Sequence, residues 1–218
     1  MEGVDRCEER LVLAAEATEA FSDAHGLHCP TGCGACCLSP EVECSVAEWG
    51  PLVRELVRDG RAEAVLTQLH GQLASDSSVC VFYAAEDEDP RRGRCQVYGL
   101  RPMICRLFGF SARRDRDGTP ELVSCRVMRE HDPAAVAAAA QAVRDGASAP
   151  VMGDLVGAVL ADASGTDGRM LPINEALRVA LERALLRASF EAAEATGEEP
   201  DDDGRPRPAR PPRRPRAA

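Results

Sequence analysis

The chain has 218 residues, 44% hydrophobic but only 4% aromatic, and a formal net charge of −10. That length and apolar content allow a core of moderate size rich in Ala, Leu and Val, while the acidity argues against general nucleic-acid binding by the folded part. No apolar run reaches the length of a membrane span, and the opening residues Met1 to Arg10 lack the basic-then-apolar order of a signal peptide, so a cytoplasmic protein is expected.

In chain order, Cys7, Leu11, Ala14, Thr18, Phe21 and His25 recur at steps of four and three, which predicts a helix over 5–25 ending near Gly26. Cys7 then faces inward, as a small buried hydrophobe. Four cysteines follow within nine residues, Cys29, Cys33, Cys36 and Cys37, spaced C-x3-C-x2-C-C. Val42 to Cys44 reads as a short strand. Ser45 and Glu48 match a capping box, although Gly50-Pro51 suggests a helix start at Pro51; Gly60 ends that helix. A second amphipathic stretch, 62–73, carries His70, to which no role is assigned.

Beyond Cys80, Cys95, Cys105 and Cys125, Asp132-Pro133 opens a helix that runs to Arg144. A shorter helix is expected over 150–160, and Asn174 is read as the cap of a long final helix with Leu177, Leu181, Ala184, Leu185 and Ala188 on one face. From Gly197 the composition turns acidic and then alternates Arg with Pro. Residues 197–218 are therefore expected to be disordered, with the Arg/Pro end available to a protein partner. Residues 205–218 hold six Arg and no acid, so residues 1–204 carry −16. The expected organisation is a single domain over 1–196, with a motif core at 28–125 and flanking helices at 5–25 and 133–196. No βαβ alternation is visible. The fold class is mainly α, with helices around an irregular cysteine-rich metal-binding core and at most short strands.

Ten cysteines in 218 residues fall below the ~8–10% density of a disulfide scaffold, and a reducing compartment keeps thiols free for metal or redox chemistry. Thiolates are soft ligands suited to zinc, copper(I) or iron–sulfur clusters. Adjacent side chains diverge, so Cys36 and Cys37 are not expected to share one small tetrahedral ion; two metal positions, a cluster, or one ligand with a reserve thiol each accommodate them. His28, beside Cys29, is the one histidine near enough to join the site. No Ser-His-Asp or His-x-x-x-His arrangement identifies a catalytic group.

The knot, Cys80 ahead of Phe82, and the run Cys95, Tyr98, Arg101, Pro102, Cys105 and Arg106 together resemble the YkgJ-type cysteine-cluster family, described as a zinc- or iron-chelating domain, over about residues 28–110. The resemblance implies a metal centre held by Cys29, Cys33, Cys36, Cys37, Cys80, Cys95 and Cys105, with Cys125 as a further member. Arg101 and Arg106 would balance the charge of several thiolates, with Tyr98 packing beside them. The dense run completed by distant cysteines favours an iron–sulfur cluster over zinc, which more often uses paired C-x2-C knuckles. The role expected is redox, metal-handling or accessory.

Two other classes remain open. One is a structural zinc module for protein interaction. The other is a radical S-adenosylmethionine or methyltransferase-like enzyme, since Cys29, Cys33 and Cys36 share the radical spacing and the flagellin lysine methylases share the knot. Against it, Ala35 stands where those enzymes place an aromatic, and no βα barrel is encoded.

Overall fold

The computed structural model describes residues 2–86, 89–163 and 168–196. The expected tail, 197–218, lies outside the described residues. Eight α-helices account for most of the described chain: α1 (Glu2–His25), α2 (Gly50–Arg58), α3 (Ala62–Ala74), α4 (Met103–Leu107), α5 (Arg126–His131), α6 (Pro133–Arg144), α7 (Met152–Asp162) and α8 (Ile173–Thr196). Six short strands pair antiparallel into two-stranded ribbons: β1 (Glu43–Ser45) with β6 (Met170–Pro172), β2 (Tyr83–Ala85) with β3 (Gly93–Cys95), and β4 (Ser111–Arg114) with β5 (Pro120–Val123). The fold is mainly α and cysteine-rich, and none of its helices is long and apolar enough to cross a membrane among the described residues.

Both readings of the segment after Cys44 are correct, because the chain makes two helices in sequence. A 3-10 turn over Val46–Trp49 is boxed by Ser45 and Glu48, and it runs directly into α2, where Pro51 sits in the first turn and gives up no needed N–H. At α6 the Asp132 side chain accepts from the Ala135 N–H at 2.9 Å, the expected cap.

Asn174 corrects the sequence reading. It is the second residue of α8 rather than its cap, since β6 feeds the helix without a break, and its buried amide is spent elsewhere in the fold. The β4–β5 hairpin was also not anticipated. Its turn closes when the Asp115 carboxylate accepts from the N–H groups of Asp117 and Thr119 at 2.9 and 2.8 Å, a local bond that Asp makes readily.

Three apolar clusters hold these elements. The largest packs Trp49, Leu52 and Leu56 against Leu69 of α3 and Leu177 and Leu181 of α8. A second joins Phe21 and Leu27 to Ala112, Met128, Val136 and Val143. A third joins Cys7, Leu11 and Ala14 of α1 to Met103 and Leu107 of α4 and Val159 of α7. The α1 stripe is as expected: Cys7 is 2% exposed and its thiol donates to the Ala47 carbonyl.

Candidate metal centre

The cysteine knot is a turn followed by a 3-10 helix. Cys33 N–H donates to the Pro30 carbonyl at 3.0 Å, Gly32 takes φ +72°, and Cys37 N–H donates to the Gly34 carbonyl at 2.9 Å as Ala35–Leu38 coil. Positive φ is cheap only for glycine. The knot is zipped to the segment leading into β3, with Gly34 N–H donating to Arg91 O at 2.8 Å and Gly93 N–H donating to Gly32 O at 2.9 Å. Tyr83 lies between Gly34 and Gly93, where a Cβ on either would overlap it, and its hydroxyl donates to Pro90 O at 2.8 Å.

Three other segments bring the remaining thiols. Cys80 N–H donates to Cys37 O at 2.8 Å, and Asn174 accepts from Val81 N–H at 3.0 Å while donating to Val79 O at 2.7 Å. Cys95 ends β3 opposite Tyr83. Cys105 sits in the middle of α4. Together Cys29, Cys33, Cys36, Cys37, Cys80, Cys95 and Cys105 line one cleft of about 370 Å³, walled also by Trp49, Val97 and Ile173.

Not every candidate reaches this cleft. Cys125 packs against the second apolar cluster near Met128 and does not line the cleft, although its charge raises Cys29. Cys44 is fully buried in the largest cluster. His28 is exposed and does not line the cleft. Among the described residues no three His, Cys, Asp or Glu side chains stand in a ready ligating arrangement.

The electrostatics separate the thiols. Cys36 and Cys37 do not diverge out of reach. Cys37 donates to the Cys36 sulfur, which with help from Arg101 lowers Cys36 against burial, and the shared bond keeps the proton on Cys37. Burial pushes Cys80 up to about 11, countered by the Phe82 N–H. Burial likewise raises Cys95, countered by the Val97 N–H and Arg101, and raises Cys105. Cys29 is pushed up to about 11 by desolvation and then by Cys33 and Cys36, although the residue as a whole is exposed at the rim. A soft cation would reverse these shifts by taking the thiolate form.

The two arginines differ in what they touch. Arg101 lies 3.5 Å over the Tyr98 ring and donates to Tyr98 O at 2.9 Å, and its charge favours the thiolates of Cys29, Cys36, Cys95 and Cys105. Arg106 instead donates to the carbonyls of Arg101 and Gly99 at 2.8 and 2.6 Å, and burial lowers its pKa. It staples the loop that presents Arg101. Tyr98 is 66% exposed and serves as the surface on which Arg101 rests. Asn174 was legible only as a helix cap, because nothing local signals a long-range partner.

A helical scaffold that gathers seven thiols from four separate segments into one cleft defines a cysteine-rich domain whose donor chemistry fits a soft metal. Residues 28–128 match the CxxCxxCC family, described as a putative zinc- or iron-chelating domain, and the chain carries a domain of that family, the one to which the YkgJ-type proteins belong. Neither a curated protein nor a solved structure matches the chain.

Proposed function

We propose that this protein carries an iron–sulfur cluster held by cysteines drawn from Cys29, Cys33, Cys36, Cys37, Cys80, Cys95 and Cys105 and works as a redox or metal-handling accessory in the cytoplasm. The observation that carries this reading is the seven thiols lining one cleft of about 370 Å³, in which a dense run, Cys29 to Cys37, is completed by distant cysteines as in iron–sulfur ligation; four of the seven suffice for a cluster and the others stand in reserve. The N–H groups of Phe82 and Val97 aimed at Cys80 and Cys95 add support, since hydrogen bonds to sulfur tune cluster potential. A cluster supplies one-electron transfer. The chain's own residues supply thiolates, a positive charge at Arg101 and a wall of Trp49 and Ile173 that limits water. The Arg/Pro-rich residues 205–218 are suited to an acidic protein partner. Anaerobic purification followed by elemental analysis and a visible spectrum tests the reading. Iron and sulfide with broad visible absorption are expected; colourless protein with stoichiometric zinc would overturn the cluster in favour of the structural zinc module.

A further inference from the structure

Glu48 is a carboxylate shut inside the protein, 1% exposed. Burial pushes its pKa up, and the hydrogen bonds it accepts pull it back. One oxygen, Oε1, accepts from the backbone N–H of Ser45 at 2.7 Å and from the Ser45 hydroxyl at 2.9 Å. The other, Oε2, accepts from the backbone N–H of Met103 at 2.6 Å. In an ordinary capping box the acidic side chain serves its own helix. Here its second oxygen leaves that turn and reaches a residue 55 positions along the chain.

Met103 opens α4, a helix of five residues. A single turn of that length does not sustain itself, because nucleation costs more than its few bonds return. Its inner face is anchored by Met103 and Leu107, both fully buried against α1 and α7, while Cys105 between them lines the cleft. A small rotation of this turn would carry Cys105 out of the cleft. The carboxylate ties the start of α4 to the end of β1.

We infer that Glu48 is a positioning residue of the metal centre, whose carboxylate, through the N–H of Met103, sets α4 in the orientation that turns Cys105 into the cleft. The inference rests on the metal-binding reading above, but the link between Glu48 and Cys105 can be measured without metal.

The test uses the full chain with Glu48→Gln. The glutamine oxygen stays with the two donors of Ser45, which leaves its NH2 group facing the Met103 N–H. In the metal-free protein, alkylation of Cys105 by iodoacetamide, followed by peptide mass spectrometry, is expected to speed up several-fold while Cys29 is unchanged. Zinc affinity, measured by competition with a chromogenic chelator, is expected to fall by about tenfold. In a Cys105→Ser background the same substitution should cost nothing further, whereas in Cys29→Ser its loss should add in full. Unchanged Cys105 labelling, or losses from Glu48→Gln and Cys105→Ser that add in full, would overturn the inference. If the wild type takes up neither zinc nor iron, the proposed function falls while the labelling still decides the role of Glu48. Should circular dichroism show Glu48→Gln unfolded, Glu48→Asp, too short to span Ser45 and Met103 together, is read in its place by the same outcomes.

Discussion

Asn174 holds Cys80 from both sides: its side-chain oxygen takes the N–H of Val81 at 3.0 Å and its NH2 group reaches the carbonyl of Val79 at 2.7 Å. The amide is 4% exposed, so Asn174→Ala would strand a donor and an acceptor without water. A loss of about 1–3 kcal/mol is expected, read by urea denaturation, together with lower bound metal per chain because Cys80 is freed. Asn174→Asp keeps the shape and the bond to Val81 but loses the donation to Val79 O, and should do nearly as much damage. Full metal content in both variants would show that Cys80 is held by something else.

The helices were legible because their signals are local. Cys7, Leu11, Ala14 and Phe21 mark the buried face of α1 by spacing alone, and Asp132 and Pro133 mark the start of α6. The knot was legible as a set of donors for the same reason. What could not be read was the long-range use of short polar side chains. Glu48 and Asn174 each satisfy a local helix-start pattern, and only the packed structure reveals that one reaches Met103 and the other Val79 and Val81. The β4–β5 hairpin escaped because its strands are four residues long and carry too little alternation to register as strands. Cys125 was grouped with the others on sequence; it packs against the apolar cluster of Met128 and does not line the cleft, although it stands within electrostatic reach of Cys29 at the rim.

The cysteines should therefore divide into two sets. Cys33→Ser and Cys105→Ser are expected to weaken metal binding by more than about tenfold, the upper scale of effects seen when merely a ligand's partner is lost being larger still. Cys7→Ser and Cys44→Ser change thiols buried away from the cleft and should leave metal content intact. Cys125→Ser should fall with the second set. Metal titration of purified variants decides, and equal losses at Cys7 and Cys33 would refute the division.

Two glycines should differ in what an added methyl costs. At Gly93 a Cβ would overlap both the Tyr83 ring and the backbone oxygen of Ala84, whereas at Gly34 the three atoms nearest to it all belong to the Tyr83 side chain. A ring can swing aside, but the β2–β3 ladder cannot move without breaking its register. Gly93→Ala is expected to cost about 1–3 kcal/mol, and Gly34→Ala less, by thermal or chemical denaturation of the metal-free protein. The reverse order would mean that Tyr83 is less free to move than the ribbon beneath it.

Arg101 and Arg106 should separate by readout. Arg101→Gln removes a charge that helps hold Cys36 down at about 6; without it Cys36 keeps more of its proton at pH 6 to 7 but has shed it by pH 8 to 9, so zinc binding, which displaces thiol protons, should weaken more in the lower window (approximate windows around the thiol range). Arg106→Gln breaks the bonds to Gly99 O and Arg101 O and should lower thermal stability with a flatter effect across pH. Identical pH profiles for the two variants would argue against distinct roles.

The metal-free protein should lose stability in alkali, and Cys7 should carry a measurable part of that loss. Burial raises its thiol from 9.0 to about 12. Below the unfolded value both states keep the proton and the contribution is complete. Between about 9 and 12 the unfolded chain releases a proton that the folded chain retains, so stability falls as pH rises through that window, by at most about 4 kcal/mol. Cys80, raised to about 11, acts in the same direction when no metal is bound. Cys7→Ala removes one of these groups at a site outside the cleft, so the variant should be less stable near neutrality, from its lost packing, yet decline less steeply above about pH 9. Urea midpoints measured from neutral to alkaline pH for both proteins provide the comparison: converging curves are expected, and parallel ones would mean that the Cys7 thiol ionises on folding much as it does in the open chain.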